Sequence, residues 1–119
     1  MTYSNVSEEN LNCLREIVGV NHVYIQKDIL DAFYHDETPL GEIPDLKPYC
    51  EAVVKPANSE QVSKILILAH KNRFPVTFRG QGTGLAWGAV PVYGGIVLCF
   101  ERMNKILEID NDNMTITAE

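Results

Sequence analysis

The sequence has no run of 18 apolar residues, so it holds no candidate membrane-spanning helix. Met1 to Glu9 offers neither a basic n-region nor an apolar h-region, and no signal peptide is predicted there. Cysteine is sparse. Cys13, Cys50 and Cys99 lie far apart, form no Cys-x-x-Cys pair and are odd in number, a poor disulfide framework. Reduced, buried thiols in a cytoplasmic protein are the natural reading. Histidine is scarce too: His22, His35 and His70 are not at metal-ligand spacing, and none follows Lys71. Structural or surface roles suit all three, with His70 facing a helix end. No metal site is expected. No paired carboxylates or nucleophile set stand out either, so no catalytic residue is assigned. Excess positive charge is missing as well. The net charge is -6 and the pI near 5.0, which argues against bulk nucleic-acid binding.

What is present fits one globular domain or a piece of one. The 119 residues are 45% hydrophobic and 22% charged, enough apolar material for a core and too much for disorder. The charge is uneven. Residues 1–51 carry 3 basic and 10 acidic groups, whereas residues 52–100 carry 5 basic and 1 acidic. A small anion could use this cationic middle, although chance clustering of surface lysines would look the same.

Ser7 is placed to cap a helix from Glu8 to Val18, with Leu11, Leu14 and Val18 on one face and Gly19 as the stop. Lys27 to Tyr34 could add one or two helical turns. His35 to Tyr49 reads as an ordered loop, rich in proline and acid, tacked down by Leu40, Ile43 and Leu46. Ala52 to Val54 reads as a buried strand. Asn58-x-x-Gln61 has capping-box spacing and opens a helix that ends near Lys71–Asn72, because Phe74 precedes Pro75. Val76 to Phe78 is a second strand, which completes a βαβ unit with parallel strands. Ile96 to Phe100 is a third strand. Ile106–Ile109 and Met114–Ala118 flank a polar turn and predict a hairpin.

Arg79 to Gly95 holds six of the eight glycines. Glycines alternating after a strand allow successive backbone N–H groups to converge on an anion. Gln81 and Thr83 could add donors and Arg79 a charge. The chemistry suits a phosphate or pyrophosphate; a loop glycine-rich only for tight packing is the alternative. Two common phosphate motifs fail. The dinucleotide fingerprint needs a sixth-position glycine, but counting from Gly80 gives Leu85 and from Gly82 gives Trp87. A P-loop needs a lysine after its last glycine, and no glycine here has one.

Four segments carry a family resemblance: Ala52-Val-Val-Lys-Pro56, Pro75 to Pro91, Gly94-Gly-Ile-Val-Leu98 and Arg102 to Asp110. Their order and spacing resemble the first half of the FAD-binding domain of the p-cresol methylhydroxylase and vanillyl-alcohol oxidase (PCMH) type. Within it they are most similar to the glycolate oxidase FAD subunit and D-lactate dehydrogenase group. Tyr34-His-Asp-Glu-Thr38 resembles an element upstream of the same domain. The resemblance implies an α/β (α+β) fold: a small parallel sheet with its βαβ unit, then the start of an antiparallel sheet. Residues 1–51 would form a helical and loop extension, and residues 52–119 the N-terminal part of the FAD-binding domain.

The resemblance also implies a site. Arg79, Gly80, Gln81, Gly82, Thr83, Gly84 and Leu85 would wrap the FAD pyrophosphate. Gly88, Ala89 and Pro91 would continue along the cofactor, and Pro75 and Val76 would lie near the adenosine. Trp87 departs from the family, where a small residue is more usual. Without a histidine in this loop, the FAD would be non-covalent. The second half of the domain and a separate substrate domain would follow Glu119 and supply the chemical base. The implied function is the cofactor-holding part of a flavin-dependent 2-hydroxy-acid oxidoreductase. A non-catalytic flavin, nucleotide or partner-binding module is the alternative. A chain cut within a sheet would leave apolar surface for the rest of the enzyme, a partner chain or a second copy.

Overall fold

A computed structural model describes residues 2–39 and 47–119. Leu40, Ile43 and Leu46, the expected tacking residues of the acidic loop, lie outside the described residues. Helix α1 spans Glu8–Val18 and is capped as expected: the Ser7 hydroxyl accepts from the Asn10 amide at 3.1 Å. Strand β1 (Val23–Tyr24) follows, then the single-turn helix α2 (Lys27–Asp31). Strand β2 is Ala52–Val54, helix α3 Ser59–Asn72, strand β3 Val76–Arg79 and strand β4 Ile96–Cys99. Strands β5 (Ile106–Asp110) and β6 (Thr115–Ala118) form a separate antiparallel hairpin.

The main sheet has the order β1-β2-β4-β3. β2, β4 and β3 are parallel, and β1 pairs antiparallel with β2 through Val23–Val54 and Tyr24–Val53. The βαβ unit is therefore present with β4 inserted between its two strands. Alternation along the strands sends side chains to two faces. Ala52, Val54, Ile96 and Leu98 join Leu11, Leu14 and Val18 of α1 and Ile65 and Ala69 of α3 in one apolar cluster. Val53, Val97 and Cys99 face the other way, onto Leu30 and Cys50, with Phe33 and Tyr34 packed against them. Covering both faces is what lets β2 and β4 be apolar throughout, as parallel strands usually are. β1 thus supplies an edge strand, and α1 and α2 outer layers, to the sheet formed by β2, β3 and β4.

Both ends of α3 follow from local chemistry. The Asn58 side chain accepts from the Gln61 amide at 2.9 Å, while the Gln61 side chain accepts from the Ala57 amide at 2.7 Å. Two otherwise unpaired donors are thus satisfied by a reciprocal pair. At the other end, Arg73 adopts a left-handed conformation (φ 58°) that turns the chain toward Phe74 and Pro75.

The hairpin stands away from this layered body. Its turn is held by Asp110, whose carboxylate accepts from the Asp112 and Asn113 amides at 3.0 Å each. Ile106, Leu107, Ile109, Met114 and Ile116 are each at least 60% exposed. The projecting hairpin helps give the chain a radius of gyration of 15.6 Å, against about 13–14 Å for a compact domain of this length.

The thiols differ in setting. Cys50 and Cys99 are buried, and burial pushes the Cys50 thiol up to about 12. Cys13 is half-buried, short of the burial expected from the sequence. A thiol reagent at pH 8 is expected to modify Cys13 alone in the folded protein and all three in denaturant. Mass spectrometry of the labelled peptides measures this, because only accessible thiolate reacts.

Candidate functional site

The loop of residues 80–88 leaves the carboxyl end of β3, the end of a parallel sheet where ligands characteristically bind. Its amides have an unusual status. Among the described residues, none accepts a hydrogen bond from the N–H groups of residues 80–86. Gly80, Gln81, Thr83, Gly84 and Leu85 are exposed, and Gly82 is buried beneath them. Gly82 has φ +73°, and a Cβ there would overlap the Arg79 guanidinium. A run of amides with no protein acceptor among the described residues suits an anion carried on the backbone.

Arg79 sits differently from the expected role of a charged contact for the anion. It is 9% exposed, and its guanidinium lies under Gly82. Nη1 donates to the His35 carbonyl at 2.7 Å and to the Ala89 carbonyl at 3.5 Å, and the group stacks 5.3 Å from the centre of the Phe33 ring. Its charge still adds to the local potential, and Nη1 is taken by protein carbonyls. The sequence showed a cation next to glycines; it could not show that the side chain folds back.

The other candidates divide into two groups. Gly80 to Leu85 form the loop itself. Gly88 is exposed, Ala89 gives its carbonyl to Arg79, and Pro91 is buried with its carbonyl accepting from the Tyr49 amide at 3.2 Å. Pro75 and Val76 are at the opposite end of β3, roughly 10 Å from Arg79 at strand rise. Val76 instead lines an open cavity of about 720 Å³ with Tyr3, Leu66, His70, Arg73 and Phe74. Both residues thus lie ahead of the loop, at the other end of the strand that leads to it.

Asp36, in the 34–38 element upstream of the domain, ties that element to the glycine loop. Asp36 is buried, and its carboxylate accepts from the Thr38 amide at 2.8 Å and from the Trp87 amide at 3.1 Å. The Thr38 hydroxyl beside it, together with these amides, holds the carboxyl below the usual carboxylate range. That hydroxyl oxygen itself is buried without a well-formed hydrogen bond to any described residue. The Glu37 amide also donates to the Gly84 carbonyl at 3.1 Å. Trp87 has φ +61°, an outlier for a bulky side chain, and its indole N–H is buried with no acceptor among the described residues. Among the described residues, no cluster of His, Cys, Asp or Glu could hold a metal ion.

A mixed sheet with parallel strands, followed by a small antiparallel one and bearing an anion-ready loop at its carboxyl end, is the architecture of PCMH-type flavin domains. p-Cresol methylhydroxylase with substrate bound superposes on 88% of this chain and 21% of its own, with a TM-score of 0.73 and 21% identity. Residues 50–119 match the family model described as FAD binding domain, and the chain belongs to that family, whose cofactor is FAD. An uncharacterized FAD-linked oxidoreductase of Mycobacterium tuberculosis is 41% identical over 104 residues, 87% of this chain and 22% of that protein. The glycolate oxidase subunit GlcD of Bacillus subtilis is 42% identical over 76 residues, 64% of this chain and 16% of GlcD. A D-lactate dehydrogenase of Archaeoglobus fulgidus is 50% identical over 86 residues, 70% of this chain and 18% of that enzyme. The matched lengths are thus about a fifth of these relatives.

The residues present fit FAD in part. The amides of residues 80–86, which find no acceptor among the described residues, suit its pyrophosphate.

Proposed function

We propose that this chain is the pyrophosphate-holding part of a flavin-dependent 2-hydroxy-acid oxidoreductase of the glycolate oxidase and D-lactate dehydrogenase kind. The observation that carries this reading is the run of residues 80–86, whose amides find no acceptor among the described residues. Backbone donors fixed in place stabilise a diphosphate without reorganising when it arrives. Gly80, Gln81, Gly82, Thr83, Gly84 and Leu85 make this contact, with Gly88, Ala89 and Pro91 continuing past it. Arg79 supports the loop from below, and Pro75 and Val76 anchor the strand that leads to it. When bound, FAD would accept the hydride from a CH–OH carbon; this chain's residues bind and orient the cofactor and hold no proton for the reaction.

The exposed hairpin favours a neighbour: the rest of the enzyme, a partner chain or a second copy. Ile109 and Ile116 pair across it and Ile106, Leu107 and Met114 are exposed beside them, while Glu108–Thr117 and Asp110–Thr115 make the other side polar; such an apolar patch is more than a soluble surface normally carries. No helix among the described residues is long and apolar enough to cross a membrane. A cytoplasmic setting is part of this proposal, on the strength of the three unpaired thiols.

Acid precipitation of the purified full-length protein tests the cofactor's attachment. FAD is expected in the supernatant, since residues 72–119 offer no histidine for a tether. Flavin remaining in the pellet would contradict a non-covalent site. Anaerobic addition of glycolate or D-lactate should bleach the bound flavin, and failure of both would reject the hydroxy-acid reading.

A further inference from the structure

The segment 33–38 does more than cross the glycine loop. It meets the loop at three points. At the start, the His35 carbonyl receives the Arg79 guanidinium at 2.7 Å. In the middle, the Glu37 amide reaches the Gly84 carbonyl at 3.1 Å. At the end, the Asp36 carboxylate takes the Trp87 amide at 3.1 Å. The same carboxylate binds the Thr38 amide, which fixes the strap's own turn. Such ties are not needed to stabilise the sheet, because β3 and β4 are already paired through Arg79 and Cys99.

Their effect on the loop is directional. The strap uses the loop's Gly84 carbonyl and its last amide, Trp87, while no described residue takes the amides of residues 80–86. Trp87 is the telling position. A bulky side chain at φ +61° is unfavourable, and such an outlier persists only where its surroundings over-determine it. A charge-assisted hydrogen bond to a buried carboxylate is a restraint of the required strength.

We infer that Asp36 is a positioning residue for the flavin site: its carboxylate clamps Trp87 and thereby holds the 80–86 amides in their anion-binding arrangement before the cofactor arrives. The inference rests on the proposed FAD-binding function and adds the device that sets its affinity. Without the clamp, the glycine-rich loop samples many conformations, and binding must order it.

The test uses the full-length protein freed of flavin, with the Asp36→Ala and Asp36→Asn variants. Amide hydrogen exchange of residues 80–88 is followed beside FAD titration. In Asp36→Ala, exchange of the Trp87 amide, which loses its acceptor, is expected to rise about tenfold while that of Ile96–Cys99 is unchanged, and the Kd for FAD to rise by about the same factor. Asp36→Asn keeps one acceptor oxygen and should fall between. If the alanine variant does not fold, the asparagine variant carries the test, with about a threefold change in each readout. Unchanged Trp87 exchange in the folded variants, or an unchanged Kd for FAD, overturns the clamp. So does faster exchange spread through the whole sheet with an unchanged Kd, which is what a purely stabilising role would give. Failure of the wild-type protein to bind FAD, with Trp87 exchange responding as described, removes the cofactor reading and leaves the clamp standing.

Discussion

Gly95→Ala is expected to be the most damaging single substitution in the described chain. Gly95 has φ +73°, where an L side chain costs roughly 1–2 kcal/mol from backbone sterics alone. A Cβ there would also collide with the Pro75 carbonyl. This carbonyl cannot step aside, because it accepts the Ile96 amide at 3.0 Å as β4 begins beside β3. The Gly95 amide is itself held by the Glu51 carboxylate at 3.1 Å, whose other oxygen takes the Val6 amide at 3.0 Å. Moving Gly95 would therefore disturb β3, β4 and the N-terminal segment together. The expected loss is above about 3 kcal/mol, read as a fall in the urea midpoint of unfolding. Gly80→Ala is the matched control. Gly80 has no atom within 4 Å of a built Cβ and no positive φ, so its effect should stay within about 0.5 kcal/mol. Equal effects at the two glycines would contradict the steric argument.

Arg79→Ala is expected to have the second-largest effect, and its signature combines stability with cofactor affinity. The substitution removes the support under Gly82 and leaves the His35 carbonyl without its donor. It also removes the stacking on Phe33. Loss of a charge-assisted, part-buried hydrogen bond costs about 1.5–3 kcal/mol. The loop that lost its floor should then bind FAD at least about tenfold more weakly. Arg79→Lys should recover only part of both, because an ammonium group cannot reproduce the planar fork that serves two carbonyls and the aromatic ring. Chemical denaturation and FAD titration of the two variants measure this. If Arg79 were instead a direct partner of the anion, Arg79→Ala would lower FAD affinity and leave the flavin-free protein's stability unchanged.

These two residues also show where the sequence was readable. Elements set by local chemistry were legible. The Ser7 cap, the Asn58–Gln61 pair, the apolar face of α3 and the polar turn at Asp110 each act within a few residues of chain. The glycine loop was legible as a place for an anion because its composition dictates its backbone freedom. Direction was not. Whether Arg79 points outward to a ligand or inward to His35 depends on a contact across 44 residues. The Asp36–Trp87 bond spans 51 residues, and the residues themselves give no sign that one is the other's partner. β1 was missed because a strand of two residues has no periodicity to detect and exists only through its pairing with β2. The family match over residues 50–119 supplies FAD as the cofactor, where the loop alone suggests any phosphate or diphosphate.

The central claim is that the 80–86 amides hold the FAD pyrophosphate. The most direct measurement is amide hydrogen exchange of those residues in the full-length protein, with FAD and separately with riboflavin, which has no phosphate. Strong slowing of residues 80–86 by FAD, with none from riboflavin at saturation, is the expected result. Equal protection by the two, or protection by FAD confined to other segments, would contradict it.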